Sequence, residues 1–321
     1  MTEPTAPDAA DAAPFRAGLV ALIGRPNAGK STLLNQILGS KLAITSSKPQ
    51  TTRDRVVGIH TDAVMQAVLL DTPGIHKAWT ELNKAMVQRA TDAVADADVV
   101  CWIEDMTLLA PRVAQGGELL DGAADAIVRI LEQAGTPVIL VANKLDVVPP
   151  PTVLPVIEAV RQRLPLHAAV PLSALTGDGL SDLLAEIRTA LPVGPALYDA
   201  DTWTQVSERF LAAELVREKV FHLTEQEIPY STAVEIEVFD ESERDTRGLI
   251  RIHAAVIVER PPQKAIVIGR GGEMIKRIGT LARKDLERLL DAKVHLELFV
   301  KVEKDWTKTA GGLRRVGFGR T

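Results

Sequence analysis

Residues 24–31 constrain this chain more than any other segment, because they read Gly-Arg-Pro-Asn-Ala-Gly-Lys-Ser. An apolar run, residues 19–23, precedes them, and a stretch with helical apolar spacing, residues 32–38, follows. In this strand–loop–helix setting the pattern predicts a phosphate-binding loop, since its glycines let successive backbone N–H groups turn toward phosphate oxygens. The start of the helix adds its positive end. We expect nucleotide contacts from the loop and the residue after it: Gly24, Arg25, Pro26, Asn27, Ala28, Gly29, Lys30, Ser31 and Thr32.

Three further polar segments each follow an apolar run. They are Asp71-Thr72-Pro73-Gly74, Asn143-Lys144-Leu145-Asp146 and Ser173-Ala174-Leu175. Each run predicts a parallel strand, and open α/β sheets bind ligands at the carboxyl ends of such strands. Apolar runs alternate with helical stretches up to about residue 190, which is typical of a doubly wound α/β fold. The order of the segments is the one a guanine-nucleotide switch requires, so we predict a P-loop GTPase domain.

The phosphate end of the predicted site holds the residues expected to act in hydrolysis. Residues 46–54 are polar and contain a proline, which indicates a mobile switch loop. We expect a metal set for Mg²⁺ of Ser31, Thr52 and Asp71, with Thr52 favoured over Thr51 for the side-chain contact. The expected catalytic set is Lys30 and Gly74 at the phosphates, together with Thr52 and Asp71. Further nucleotide contacts are expected from Thr51, Thr72 and Pro73.

The second and third segments indicate which base is bound. Guanine presents N1–H and N2–H₂ donors side by side, and the carboxylate of Asp146 can accept both. Asn143 can bond the base and neighbouring loops, and the Lys144 stem can lie over the ring. The N–H of Ala174, beside Ser173, can donate to O6. Because a site built on such hydrogen bonds rejects analogues that lack them, we predict GTP and GDP rather than ATP.

Ile75 stands where many small GTPases carry a glutamine that orients the attacking water. An isoleucine cannot do this, so we expect slow intrinsic hydrolysis. The combination of Ile75 with Pro26-Asn27 suggests the hypothesis that Asn27 helps to bind a K⁺ ion that supplies positive charge. The alternative is that Asn27 only stabilises a turn.

The chain length of 321 residues suggests two domains. We predict a disordered tail at 1–17, the GTPase domain at 18–191, a Pro- and acid-rich linker at 192–203, a second domain at 204–303 and a C-terminal tail at 304–321. One cysteine, Cys101, excludes a disulfide framework within the chain. No run approaches the roughly 18 to 20 apolar residues of a membrane span, and the first residues do not resemble a signal peptide. These features predict a cytoplasmic protein without a transmembrane segment.

The sequence of the second domain predicts a nucleic-acid partner. Residues 260–321 hold 15 Lys and Arg against 7 Asp and Glu, although the whole chain carries a net charge of −5. The segment order is a helix, two strands of alternating polarity, a Gly-x-x-Gly loop, a basic helix and a last strand. This order indicates an α+β KH domain that clamps single-stranded RNA. The expected RNA-binding residues are Ile268, Gly269, Arg270, Gly271, Gly272, Lys276 and Arg277. A solvated charged surface is the alternative explanation of the charge alone.

Joined on one chain, these motifs resemble the Era family of bacterial ribosome-assembly GTPases. Residues 50–53 (Gln-Thr-Thr-Arg), 229–231 (Pro-Tyr-Ser), Val302, Trp306 and 317–318 (Gly-Phe) add to the similarity, which runs from about residue 18 to 318. The resemblance implies a type II KH domain, GTP/GDP and Mg²⁺ as cofactors, and a monomer. It implies as partners the 3′ end of small-subunit ribosomal RNA and the small subunit during maturation. It also implies that GTP frees the RNA-binding face, that GDP favours release, and that some protein lies peripherally at the membrane.

Two other functions stay open from the sequence. One is a GTPase whose C-terminal domain binds a protein rather than RNA, and the other is an ATPase. A measurement of RNA affinity tests the first alternative against the RNA-binding function. The effect of Asp146→Asn on the preference for guanine or adenine nucleotides tests the second.

Overall fold

The computed structural model describes residues 14–46, 48, 50–76, 79–114 and 122–316. The predicted tail residues 1–13 lie outside these ranges, as do residues 317–321, which include the Gly-Phe pair of the family resemblance. The first strand already begins at Arg16, so residues 16–17 belong to the sheet and not to the tail. Among the described helices, none combines the length and the apolar character needed to cross a membrane.

A six-stranded sheet with helices on both faces forms the first domain. The strand order is β2-β3-β1-β4-β5-β6, and every pair is parallel except β2 with β3. The strands are β1 (Arg16–Gly24), β2 (Val56–Thr61), β3 (Met65–Asp71), β4 (Val99–Asp105), β5 (Val138–Asn143) and β6 (Ala168–Pro171). The helices are α1 (Lys30–Leu38), α2 (Glu81–Asp96), α3 (Met106–Ala114), α4 (Gly122–Ala134), α5 (Leu154–Arg161) and α6 (Leu180–Ala190).

The central strands are continuous apolar runs because both of their faces are buried. In β3, β4 and β5 every residue is buried, and the two apolar clusters on opposite faces are separate. Because β1, β3, β4 and β5 run parallel, the carboxyl ends of β1, β3 and β5 meet at one edge of the sheet, as predicted. The doubly wound fold class is confirmed.

The predicted linker, residues 192–203, packs along the first sheet. The Oε1 atom of Gln66, on β3, accepts hydrogen bonds from the N–H groups of Leu197 and Tyr198, at 2.6 and 2.9 Å. The N–H of Ile59, on β2, donates to the carbonyl of Trp203 at 2.8 Å. These hydrogen bonds fix the exit of the linker beside β2.

The second domain contains α7 (Glu208–Leu223), β7 (Ala233–Glu243), α8 (Arg244–Arg247), β8 (Leu249–Val258), α9 (Pro261–Ile268), α10 (Glu273–Leu290) and β9 (Lys293–Val302). The three strands lie in the order β7-β8-β9, with β7 antiparallel and β9 parallel to β8. The KH fold is thus confirmed, but the order predicted from sequence lacked α9. Two prolines start this short helix, and the side chain of Gln263 accepts hydrogen bonds from the N–H groups of Glu259 and Arg260.

The predicted C-terminal tail is folded as far as residue 316. It forms a turn at Trp306–Lys308 and the helix α11 (Ala310–Arg315). The Trp306 ring is 1 % exposed, and it shares an apolar cluster with Leu82 and Met86 of α2 and with Leu313. Its Nε1–H donates to the carbonyl of Ser231 at 3.0 Å. This segment therefore connects the second domain to α2 of the first.

Candidate nucleotide and nucleic-acid sites

The phosphate loop runs from the end of β1 into α1 in a strained conformation that glycine permits. Gly29 has φ = 104°, and a Cβ atom there would lie 2.2 Å from Nδ2 of Asn143. Asn27 adopts φ = 64°, which asparagine tolerates better than most residues. The loop therefore curls as the sequence pattern predicted.

Lys30 points into the loop. Its Nζ donates to the carbonyls of Gly24 and Arg25 at 3.2 and 2.9 Å. Burial lowers the pKa of Lys30 to about 8, while the carboxylates of Asp71 and Glu104 act in the opposite direction. A desolvated ammonium attracts phosphate oxygens more strongly than an exposed one.

Three oxygen-bearing side chains converge beside Lys30. Ser31 Oγ donates to Asp71 Oδ2 at 2.7 Å and lies 2.8 Å from Thr52 Oγ1, which donates to the same carboxylate oxygen at 3.1 Å. The second carboxylate oxygen, Oδ1, is buried without a hydrogen-bond partner. Burial raises the pKa of Asp71, against the effect of Lys30 and the two hydroxyls. Hard oxygen donors and an unsatisfied buried carboxylate oxygen fit Mg²⁺.

Asn143 joins the three loops at the base end of the site. Its Nδ2 donates to the carbonyl of Ala28 at 2.7 Å, and its Oδ1 accepts from the N–H groups of Lys144 and Ala174 at 2.8 and 2.9 Å. The N–H expected to donate to guanine O6 thus already has an acceptor in the ligand-free chain. Asn143 itself is 2 % exposed, and its hydrogen bonds hold these loops together around the site.

Asp146 and Lys144 are held by side-chain contacts. Ser173 Oγ donates to Asp146 Oδ1 at 2.7 Å, which leaves the second carboxylate oxygen of this exposed residue for a ligand. Lys144 Nζ lies 2.5 Å from Asp105 Oδ2, at the end of β4. Both contacts orient groups that the sequence assigned to the base.

A cavity of about 330 Å³ connects the phosphate and base ends. Of the predicted residues, those that line it are Pro26, Asn27, Gly29, Lys30, Ser31, Thr32, Thr51, Thr52, Gly74, Asn143, Lys144, Asp146 and Ala174. The remaining predicted residues, Gly24, Arg25, Ala28, Asp71, Thr72, Pro73 and Ser173, lie outside the lining. Thr72, for example, is fully buried, and its hydroxyl donates to the carbonyl of Leu22 at 2.8 Å.

Sequence reasoning missed several residues of this site. Ile44, Thr45, Ser46, Gln50 and Leu175 also line the cavity. Glu104, 1 % exposed at the end of β4, accepts from Trp102 Nε1 at 2.8 Å and lies 3.4 Å from Arg25 Nε. Its position one residue before the end of a buried strand, at the ligand edge of the sheet, was the signal available in the sequence.

Ile75 is 1 % exposed and packs in the core, so it does not face the cavity. The next residue, His76, contacts the carbonyl of Gly74 through Nδ1 at 2.7 Å, and its Nε2 lies 3.0 Å from Nε2 of Gln50. His76 therefore lies directly after the position where a glutamine would stand, in contact with Gln50 of the switch loop.

The Gly-x-x-Gly loop joins α9 to α10. Gly269 has φ = 76° and ψ = 173°, a conformation restricted to glycine, and a Cβ atom there would lie 2.8 Å from the backbone nitrogen of Met274. Arg270, Lys276 and Arg277 are exposed around the loop, whereas Ile268 packs against the apolar core of the domain.

A groove of about 310 Å³ follows the loop along α10 and β9. Lys276 and Arg283 supply positive charge, and Leu296 and Leu298 supply an apolar floor. A Cβ atom at Gly279 would approach Leu298 to 3.4 Å, so the absence of a side chain there keeps the groove open. Positive charge beside an apolar surface suits a backbone phosphate and an unstacked base.

Comparison with known proteins places both domains. Residues 19–144 match the family described as 50S ribosome-binding GTPase, and residues 227–307 match the KH domain family. GTPase Era of Geobacter metallireducens is 48% identical over 305 residues, covering 95% of this chain and 98% of the relative. GTPase Era of Leuconostoc citreum is 44% identical over 305 residues, covering 95% and 97%.

Two solved Era structures superpose on nearly the whole chain. One is a variant of Aquifex aeolicus Era bound to GDP and aluminium fluoride, and the other is Era with MgGDPNP and nucleotides 1506–1542 of 16S ribosomal RNA. Each has a TM-score of 0.87 and 37% sequence identity, and each match covers 95% of this chain and 99% of the other. The chain belongs to the Era family of GTPases.

Proposed function

We propose that this protein is a GTP-hydrolysing switch that binds the 3′ end of small-subunit ribosomal RNA through its KH domain and assists assembly of the small subunit. The observation that carries the proposal is the convergence of Ser31, Thr52 and Asp71 beside the buried Lys30. The KH groove on the same chain supplies the RNA-binding half. The Era relative that is bound to MgGDPNP and 16S ribosomal RNA supports both halves.

In this proposal Lys30 binds the β- and γ-phosphates, and the N–H of Gly74 binds the γ-phosphate. Ser31, Thr52 and Asp71 hold Mg²⁺, which neutralises charge on the phosphates when it is bound. Nothing at Ile75 can orient water, since that side chain is buried, so hydrolysis is slow without a further group.

Asp146 gives the site its preference for guanine. The hydrogen bond from Ser173 fixes the carboxylate, and its exposed oxygen faces a donor pair that adenine lacks. Asn143 holds the Lys144 and Ala174 backbones in place around the base.

We also propose that K⁺ assists hydrolysis near Asn27. This residue lines the nucleotide cavity in a left-handed conformation that turns the loop backbone toward the ligand. Turnover measured in potassium and in sodium buffer tests the role: equal rates, with Asn27→Ala neutral in both, contradict it.

The proposed location is the cytoplasm, where ribosomal RNA is found and where the buried free thiol of Cys101 stays reduced. We propose a monomer that can lie peripherally at the membrane. The family resemblance alone supports the last point.

Binding of a fluorescent single-stranded RNA with the small-subunit 3′-terminal sequence tests the function. We expect tighter binding with a non-hydrolysable GTP analogue than with GDP. Gly269→Asp should weaken RNA binding and leave GDP affinity unchanged, because it alters the Gly-x-x-Gly loop of the KH domain and not the nucleotide site. Gly248→Asp is the matched control, since Gly248 also has positive φ (61°) but has no neighbours within 4 Å of a Cβ atom.

Two results would contradict the proposal. RNA binding that is absent in both nucleotide states would favour a protein partner for the KH domain. Equal RNA affinities for wild type and Gly269→Asp would remove the Gly-x-x-Gly loop from the interface.

A further inference from the structure

The switch loop of the GTPase domain lies against the KH domain. We use "switch segment" for residues 41–53, of which 47 and 49 lie outside the described residues. Lys41 Nζ pairs with Glu218 at 2.7 Å, and the ring of His222 lies 3.1 Å from the carbonyl of Thr45. Lys48 Nζ donates to the carbonyl of Thr224 at 2.6 Å. The KH-domain partners of Lys41, Thr45 and Lys48 lie on α7 or immediately after it.

Arg217 makes a further buried contact with the switch segment. It projects from α7, is 3 % exposed, and donates through Nη2 to the carbonyl of Thr51 at 2.5 Å. Glu214, one turn earlier on the helix, accepts from Arg217 Nε at 2.7 Å and so fixes the guanidinium plane. A charged donor that is already oriented holds a backbone carbonyl more firmly than a free side chain does.

Arg53 makes the reciprocal contact from the GTPase domain. Its guanidinium donates to the carbonyls of Thr232, Pro229 and Tyr230 at 2.6, 2.9 and 2.9 Å. It also lies over the ring of Trp306, 5.8 Å from the centroid. Burial, with the nearby charge of Arg217, lowers the pKa of Arg53 to about 9, so the guanidinium remains charged at neutral pH.

Thr52 stands between these two anchored residues, and its hydroxyl faces Ser31 and Asp71. On one side of Thr52 the KH domain holds the backbone carbonyl of Thr51, and on the other side it holds the side chain of Arg53. The Thr52 side chain completes the proposed Mg²⁺ site. We propose that Arg217 is a positioning residue for GTP hydrolysis, supplied by the KH domain, which keeps Thr52 in its place in the nucleotide site. The inference rests on the proposed role of Thr52.

The consequence is that the KH domain sets the hydrolysis rate through contact with the switch segment. GTP hydrolysis needs Thr52, but GDP binding uses the phosphate loop and the base loops without it. Loss of Arg217 should therefore lower kcat and leave the affinity for GDP unchanged. A movement of the KH domain that withdraws Arg217 should have the same effect.

The test compares Arg217→Ala with Arg209→Ala in the full-length protein. Arg209 lies on the same helix, and among the described residues its hydrogen bonds go to the carbonyls of Ile236 and Glu237, within the KH domain. We expect kcat to fall about tenfold for Arg217→Ala and to be unchanged for Arg209→Ala, because one charged hydrogen bond is lost only in the first. Arg217→Lys should restore part of the rate, since one donor can still reach Thr51.

Hydrogen–deuterium exchange supplies a readout besides activity. With a GTP analogue and Mg²⁺ bound, peptides that cover residues 50–56 should exchange faster in Arg217→Ala than in wild type. The Arg209→Ala protein should match wild type. Arg53→Ala, which breaks the other anchor, should give the same increase in exchange and the same fall in kcat.

The results that would overturn the inference differ from the results that would contradict the proposed function. If wild type hydrolyses GTP but Arg217→Ala matches Arg209→Ala in both kcat and exchange, Arg217 does not position Thr52. A parallel loss of GDP affinity and kcat would also overturn it, because that pattern indicates general unfolding. Wild type that neither binds nor hydrolyses GTP would instead remove the proposed function.

Discussion

Replacing Asn143 with alanine should loosen the nucleotide site, because this side chain holds together the loops that surround the cavity. The side chain bridges three loops that arise from different parts of the sequence. Because Asn143 is 2 % exposed, water does not readily replace the hydrogen bonds that its backbone partners lose. The substitution therefore tests how much the positioning of these loops contributes to nucleotide binding.

The magnitude follows from the three hydrogen bonds. At about 1 kcal/mol each, their loss should lower the free energy of unfolding by about 3 kcal/mol. Two of them, to Ala28 and Ala174, join separate loops. A nucleotide bound to the variant must order these loops itself, which should weaken GDP binding by about 2 kcal/mol, or about 30-fold in Kd.

Urea unfolding with and without GDP measures the free energy of unfolding. Titration with fluorescent GDP measures the Kd for the nucleotide. Asn35→Ala is the matched control, because Asn35 also makes three hydrogen bonds, to the backbones of Leu42 and Ala43. We expect a similar loss of stability in the control but little change in GDP affinity. Equal changes of GDP affinity in the two variants would refute the reasoning that Asn143 acts by joining the loops.

Three further predictions concern the site and the interdomain packing. Asp146→Asn should weaken GDP and GTP binding and favour xanthine nucleotides, as a competition titration would show; an unchanged base preference would exclude the assigned contact. Burial lowers the pKa of Lys30 to about 8, and bound phosphates favour its charged form, so affinity for GTP should fall by up to about tenfold per pH unit as the pH rises above 8. A GTP affinity that stays constant between pH 8 and 9 would contradict this role of the buried Lys30. Trp306→Ala should lower the free energy of unfolding in urea by about 3 to 5 kcal/mol, because a fully buried ring is removed, and Trp203→Ala, at a ring that is 39% exposed, should cause a smaller loss.

The local sequence patterns predicted most of the first domain. The phosphate loop, the apolar runs and the helical spacing are signals carried by neighbouring residues, so they fix β1, α1, β3 and β5 with little help from the rest of the chain. The guanine-specific segment at Asn143 followed from the same signals, since it ends a buried strand. Helix α9 was missed because its apolar residues, 266–268, could equally belong to a strand.

The sequence by itself determined that this chain holds a GTPase domain and a KH domain, and which short segments would form the two sites. Only the tertiary structure decided how the sites are connected. Arg217 and Thr51 are 166 residues apart in sequence, and Arg53 and Thr232 are 179 apart, so neither contact has a local pattern. Likewise, the packing of Trp306 on α2 turned a predicted tail into an interdomain bridge. Such contacts depend on the way in which separately encoded elements pack, because a buried polar group needs a partner and takes whichever one the fold brings to it.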